Sequence, residues 1–474
     1  MPEIISNEYR PASLSEVQKL HEGSLHILQK TGLAFHHRGA LELFKKAGVD
    51  IDGNIVRIKP SLVEWALRTV SKELTIYNRN LEPAMLIGGN RRTSYYGVGS
   101  DSIYIYDIDD GNRRKAVLDD ISQGMKLVSG LSNIDFVMSM FVPSDVSAEN
   151  YSRHQMLVML NENIKPIVFT GVAPDCTTEA ISMASEVHGR EELGKRPFII
   201  NYVNTINALN HNQESLQRLM DAAAENIPTI YAPGNSRGTT APMTVAGMLA
   251  LGNAGQLGGL VLSQLVHEGS PFILNNPSVG AMDMKTMVDL YVSPDAGAYG
   301  CALANHYQLA ALCSAGASDS KAFDGQATSD ASLTLFSNTF RGANLIQNLG
   351  YLDSAMTGSF ELVVFCDEII SWLKKFLNPL RVNDENLALD IIDQAAPECN
   401  FLHTEHTFRY FREDWHPRLL DRSSHIQWEQ NGSLRLKKRA NSMVRDLARR
   451  APVEPLPPAT LSKLKAMLQR DCSG

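Results

Sequence analysis

TTAPMTVAGMLALGNAGQLGGLVLSQLVHEGSPFILNN, residues Thr239–Asn276, follows one strand-like run, Pro228–Ala232, and ends in another, Pro271–Asn275. Between the two runs a helical pattern spans Val245 to His267 and carries Gly247, Gly252, Gly255, Gly258 and Gly259. Each glycine weakens a helix by roughly 1 kcal/mol against alanine. A helix holds that many where backbones must approach closely, as in the outer ring of a β/α barrel. Strand, tight helix, strand is the repeating unit of a parallel sheet.

The same grammar extends outward. Strand runs are expected at Tyr95–Gly99, Phe136–Phe141, Ile167–Thr170, Phe198–Val203, Thr229–Ala232, Phe272–Asn275, Val288–Val292 and Leu312–Gly316. Helical patterns lie between most of them, at Asn150–Asn161, Thr177–His188, Gln213–Glu225 and Pro294–Ala311. Eight strands alternating with helices predict an α/β fold of the (β/α)8 TIM-barrel type. One link fits poorly. Only about a dozen residues separate Asn275 from Val288, marginal for a crossover helix. An open doubly wound sheet is the competing architecture.

Three units are expected. Residues 1–92 form a helical N-terminal module with a small hairpin. Ser13 and Glu16 make a capping box there, Asp52-Gly53 a hairpin turn, and Pro60 a helix start. Residues 93–350 form the barrel. Residues 351–474 form a helical extension, with a continuous helical pattern from Gln326 to Leu349 before it and an amphipathic stretch at Phe360–Phe376. Arg435–Arg450 is strongly basic, read as a solvated helix face or a docking surface for an acidic partner.

The chain has 474 residues, 44% of them hydrophobic and 20% charged, in the range of ordinary globular proteins. A net charge of -8 argues against nucleic acid as a partner. The six cysteines, Cys176, Cys301, Cys313, Cys366, Cys399 and Cys472, are dispersed with no C-x-x-C pair, which suits a reducing cytoplasm. The N-terminus MPEIISNEYRP has no signal-peptide pattern. No uninterrupted apolar run reaches the ~18 residues of a membrane span, so no membrane association is expected.

Several short motifs carry little. Gly234-Asn235-Ser236-Arg237-Gly238 matches the G-x-S-x-G of serine hydrolases and follows a strand. Four residues then separate it from a helix start, and no oxyanion segment of the HGGG type occurs. Gly97-Val98-Gly99 lacks the third glycine of a dinucleotide fingerprint, and no P-loop occurs. His403 and His406 sit three apart without an obvious third ligand, so no metal site is assigned.

The strand ends are more informative, because a barrel's active site forms there. They offer Tyr96, Asp101, Asn201, Tyr202, Asn204, Tyr231, Asn275, Asn276 and Tyr291. Tyrosines and amides predominate, with no evident nucleophile or base. An aromatic, amide-lined cup suits a quaternary ammonium ion, held by the ring quadrupoles.

Thr239–Asn276 closely resembles the trimethylamine methyltransferase family. Other segments agree in order. Ala47–Asp52 with Ile58–Leu67, and Arg79-Asn80, look like its N-terminal module. Ser293–Ala296 followed by Ala315–Ala327 looks like its seventh and eighth barrel units, and His403–Thr407 with Trp415–Arg422 like its C-terminal signature. The resemblance implies a (β/α)8 barrel and methyl transfer from a methylated amine to the cobalt(I) of a corrinoid. A partner protein would carry that corrinoid, with no tightly bound cofactor on this chain.

Family members that use trimethylamine place pyrrolysine in or near the loop matching Ser314–Lys321. This chain has only standard residues there, which points to the nonpyrrolysine branch and to glycine betaine. The roles implied are a cage of Tyr96, Tyr202 and Tyr231. Asn201, Asn204, Asn275 and Asn276 would take the carboxylate, and Asp101 would favour the cation. A corrinoid-facing loop would hold Ser318, Asp319 and Lys321. No catalytic acid, base or nucleophile is assigned. A homo-oligomer is expected. The alternatives are another quaternary amine (carnitine, proline betaine, choline), a hydrolase using Ser236, and a binder of quaternary amines without catalysis.

Overall fold

The computed structural model of the chain describes residues 12–171, 173–276, 280–292, 297–450 and 454–468. Ser293–Ala296, Pro452 and Cys472 lie outside them. Seven strands form one parallel sheet, running in sheet order from Tyr95–Val98 through Leu345–Leu349, Ala311–Ser314, Phe272–Asn275, Thr229–Pro233 and Ile199–Thr205 to Ile167–Phe169. Parallel bridges Gly97–Phe136 and Val137–Ile167 insert an eighth strand between the two edges. The sheet therefore closes on itself, and the expected (β/α)8 barrel is present.

Two expected elements differ. Val288–Val292 is not a barrel strand. Its first residues pair antiparallel with Met282–Asp283 in a hairpin outside the ring. The missing strand is Leu345–Leu349, inside the stretch read as continuous helix, where the helix stops at Phe340. Gly342, with φ +79, sits in the tight connection between them. The short link after Asn275 is explained by the same correction. The next strand is Ala311–Ser314, with the Gly297–Tyr307 helix as its crossover. Ala315–Ala327 accordingly follows the seventh strand, not the eighth.

Strand pleating sends alternate side chains into the lumen. Val168, Ile200, Ile230, Ile273, Leu312 and Leu345 meet there in one buried cluster with Phe136 and Met138. The antiparallel pair Glu73–Tyr77 and Pro83–Gly88 adds Leu74, Ile76, Met85 and Ile87 to the same cluster. Backbone bonds from Tyr77 to Pro197 and from Gly89 to Gln308 tie this hairpin to segments just before two strands. It plugs the end where strands begin, leaving the opposite end as the mouth.

The long helix is Val245–Val266. It is apolar and long enough to span a membrane by composition, yet it is largely buried inside the protein. Its glycines do what the sequence suggested. A Cβ on Gly255 would lie 2.7 Å from the Ala208 carbonyl oxygen, and one on Gly259 2.4 Å from the Tyr231 ring. The N-terminal segment packs on its other side, with the Leu14–His26 helix capped by Ser13 and Glu16 as expected.

Gly255→Ala is expected to lower stability. The helix gains about 1 kcal/mol in propensity, but overpacking against a backbone that cannot retreat loses ~1–3 kcal/mol. A thermal unfolding midpoint that stays level or rises would show that the helix is not seated this closely.

Candidate active site

The ends of five strands, the fourth to the eighth, line a cavity of about 230 Å³ at the mouth. Tyr202 and Asn204 reach it from the fourth strand, because Ile200, Tyr202 and Asn204 share the inward face. Asn275 and Asn276 arrive from the end of the sixth strand, Ser314 from the seventh, Gln347 and Asn348 from the eighth. The glycine-rich helix positions one of these directly. Gln256 accepts from the Asn275 backbone N–H at 2.7 Å and donates to its carbonyl at 2.8 Å.

Tyr291 also lines the cavity. It comes from the 280–292 segment, which two carboxylates fasten at the mouth. Asp289 accepts from the Ser236 hydroxyl. Asp319 accepts from the backbone N–H groups of Tyr291 at 3.0 Å and Val292 at 3.1 Å, and from the Ser354 hydroxyl at 2.9 Å. Tyr291 meets Tyr351 edge-on, with ring centroids 6.2 Å apart. The Tyr351 hydroxyl donates to the Ser100 carbonyl.

Both signs of charge act at the mouth. Asp101 is reached by solvent but ringed by protein, and that enclosure raises its carboxyl above the ordinary 3.8; Ser100 and Arg218 oppose the shift. Its backbone φ of +68 is uncommon for a residue other than glycine, which fits a functional position. Its charge acts on Tyr151, Tyr202, Tyr291 and Tyr351. Burial pushes the Tyr291 phenol up to about 12, so it is neutral at physiological pH. Arg218 is buried beneath Tyr202, donating to its carbonyl at 2.6 Å. Its Nε has no hydrogen-bond partner among the described residues, and its charge acts on the Asp101 carboxyl.

Three expected substrate-binding residues face the other way, two from the cage, Tyr96 and Tyr231, and one from the carboxylate-binding amides, Asn201. Tyr96 donates or accepts at Thr339 on the Gly325–Phe340 helix, 2.9 Å away. Asn201 bonds Thr177, the Arg218 carbonyl and Thr229, between sheet and helices. Tyr231 bonds the His211 ring at 2.6 Å and packs under the long helix. Burial there holds the His211 imidazole down at about 4. Each lies one pleat out of phase with the lumen. Ser318 is likewise corrected: it is fully buried, donates to Asp330 at 2.7 Å, and cannot face a docking protein. Asp319 is an anchor for Tyr291. Lys321 is exposed at the rim, 3.5 Å from Asp353.

Asn235 is a site residue that sequence reasoning missed. It lines the cavity, is 6% exposed, and neither its amide nitrogen nor its oxygen has a partner among the described residues. A buried amide in that state needs a ligand or water. The only sequence signal for it is its place in the strand-end loop G-N-S-R-G, beside Ser236. Ser236 bonds a carboxylate rather than an imidazole, and the helix starts only at Val245. That is not a nucleophile elbow.

Tyr231→Phe is expected to lose about 1 kcal/mol of stability through its bond to His211, with ligand affinity unchanged. Calorimetric binding beside a denaturation curve checks both. A loss of affinity without a loss of stability would return Tyr231 to the cage.

The description of one family model, Trimethylamine methyltransferase (MTTB), matches residues 1–473. The Trimethylamine methyltransferase MttB of Desulfitobacterium hafniense (strain DSM 10664 / DCB-2) is 30% identical over 464 residues, covering 96% of this chain and 92% of the relative. The Glycine betaine methyltransferase of Desulfitobacterium hafniense (strain Y51) is 28% identical, covering 98% and 96%. The Proline betaine:corrinoid methyltransferase of Eubacterium limosum is 27% identical, covering 87% of each. With a match over nearly its whole length, the chain belongs to the trimethylamine methyltransferase family.

Proposed function

We propose that this protein moves one methyl group from glycine betaine to the cobalt(I) of a corrinoid carried by a partner protein, releasing dimethylglycine. The observation that carries this reading is the mouth cavity, lined by tyrosines and neutral amides, with the charges of Asp101 and Arg218 beside it. Names of relatives support the class: those proteins are described as acting on glycine betaine, proline betaine and trimethylamine.

A quaternary nitrogen is already a leaving group. The C–N bond breaks, its electron pair stays on the nitrogen of dimethylglycine, and the electron pair of cobalt(I) forms the new bond to carbon. No proton moves. The protein's work is to hold one N-methyl in line with the incoming metal and keep water out. Tyr202 and Tyr291 supply aromatic faces to the trimethylammonium group, and Asp101 supplies negative potential. The carboxylate falls to Asn235 and to the positive potential of Arg218. A neutral, amide-rich lining serves this chemistry better than an acid–base pair would.

Within the same chemistry the competing donors are carnitine, proline betaine and choline. A panel assay that quantifies demethylated product, with the corrinoid protein present, separates them. Glycine betaine is expected to give the highest kcat/KM. A higher value for another donor would change the substrate and keep the reaction.

Tyr202→Ala and Tyr291→Ala are each expected to raise KM about 2- to 30-fold, the range of a cation–π contact worth ~0.5–2 kcal/mol. Unchanged KM in both would remove the cage. Asp101 adds a pH signature. Its raised carboxyl is neutral below its folded pKa and charged above it. Affinity for the cation is therefore full at high pH and falls as pH drops through that raised value, earlier than for an ordinary aspartate. Asp101→Asn should flatten the profile. A wild-type KM independent of pH across the acid range would contradict this role.

A further inference from the structure

Two thiols lie directly behind the cavity. Cys301 on the Gly297–Tyr307 helix and Cys313 on the seventh strand bring their sulfurs to 3.4 Å, and both side chains are buried. Cys366 is buried as well, but its thiol meets the Gly316 carbonyl rather than a second sulfur. Methyl transfer from a quaternary amine uses neither Cys301 nor Cys313.

Asn276 joins this pair to the cavity. Its amide Nδ2 lies 3.4 Å from the Cys313 sulfur and 3.7 Å from the Cys301 sulfur, and the same side chain lines the cavity. The helix closes the other side of the amide. A Cβ on Gly300 would fall 1.7 Å from the Asn276 Oδ1. Asn276 is therefore wedged between a helix backbone and two sulfurs, and it stands between the sulfurs and a cavity of about 230 Å³ that opens at the mouth. A small polar oxidant that enters the cavity meets the thiol pair through this one side chain. The contact with Cys313 holds the Cys301 thiol below its ordinary value, which makes Cys301 the first to react.

We propose that Cys301 and Cys313 are an oxidation site, closed to a disulfide by hydrogen peroxide, and that its closure weakens donor binding in the cavity above. The Cys301 sulfur attacks one peroxide oxygen and the O–O bond breaks. The departing hydroxide takes the thiol proton and leaves as water, with a sulfenic acid on Cys301. The Cys313 sulfur then attacks the sulfenic sulfur, the S–O bond breaks, and the second thiol proton leaves in a second water. Two thiols lose two electrons, and the peroxide is reduced to two waters.

Closure reaches the cavity through geometry. A disulfide brings the sulfurs to about 2.05 Å, so the helix and the seventh strand must draw together beside Asn276. The pair also loses its S–H groups, and the amide no longer meets the partners that hold it. The edge of the cavity that Asn276 forms shifts with it. This step goes beyond the methyl-transfer reading and is separable from it.

Peptide mapping by mass spectrometry tests the site without an activity assay. The protein is exposed briefly to hydrogen peroxide, and the remaining thiols are then blocked. The expected product is lighter by two hydrogens, links the Cys301 and Cys313 peptides, and reverts with dithiothreitol. Calorimetry with glycine betaine reads the consequence. Affinity is expected to fall about 5-fold in the oxidised protein, the range of one lost hydrogen bond, and to return on reduction. Cys301→Ala and Cys313→Ala, checked for native circular dichroism, should each bind as the reduced wild type does and keep that affinity after peroxide. If either variant fails to fold, the mapping and the reversible loss in the wild type still decide. Free thiols at both positions when the exposed Cys399 is already oxidised would overturn the proposal. So would a mapped disulfide that leaves affinity unchanged, or an equal peroxide loss in the folded variants. A reduced wild type that does not bind glycine betaine faults the substrate reading instead; the mapping still judges the site, and another donor from the panel becomes the probe.

Discussion

Closing eight parallel strands into a ring leaves each side chain two destinations, the lumen or the helical layer, decided by pleat phase alone. Everything at the mouth follows from that constraint. In the fourth strand it sends Ile200, Tyr202 and Asn204 inward and Asn201 outward. The lumen is filled with apolar residues and plugged from below by Leu74, Ile76, Met85 and Ile87, so one end alone remains for a ligand. The close approach of the Val245–Val266 helix, permitted by its glycines, lets Gln256 grip both backbone groups of Asn275 and fix that edge of the cavity.

On this rigid floor the 280–292 segment is held by carboxylates rather than by burial. Asp289 takes the Ser236 hydroxyl, and Asp319 takes two backbone N–H groups beside Tyr291. An aromatic wall is thus delivered by a loop whose position depends on two acids. Asp101 and Arg218 both act beside the same mouth, an arrangement that suits a ligand bearing both signs of charge.

Much of the barrel was legible in the sequence because it rests on local chemistry. Seven of eight strand runs, the capping box at Ser13 and the glycine pattern of the long helix were each readable from neighbours a few residues away. Leu345–Leu349 was not, since LIQNL carries no alternation and no proline separates it from the helix before it. Val288–Val292 read as a strand because β-branched residues are equally at home in a hairpin. For the site, strand ends were legible but phase was not. Tyr231 and Tyr202 look alike in sequence, and only the paired register shows one facing His211 and the other the cavity. Asn235 was hidden by the absence of any local reason for an asparagine there. Its unpaired amide is a property of the assembled pocket.

The most direct test of methyl transfer from a quaternary amine is anaerobic. The protein is mixed with cob(I)alamin and either glycine betaine or its tertiary counterpart dimethylglycine, and the corrinoid spectrum is followed. Rapid conversion to methylcobalamin is expected with the quaternary amine and none with the tertiary one, because only the former carries its own leaving group. Equal conversion with both, or none with any quaternary amine even when the corrinoid protein is supplied, would contradict it.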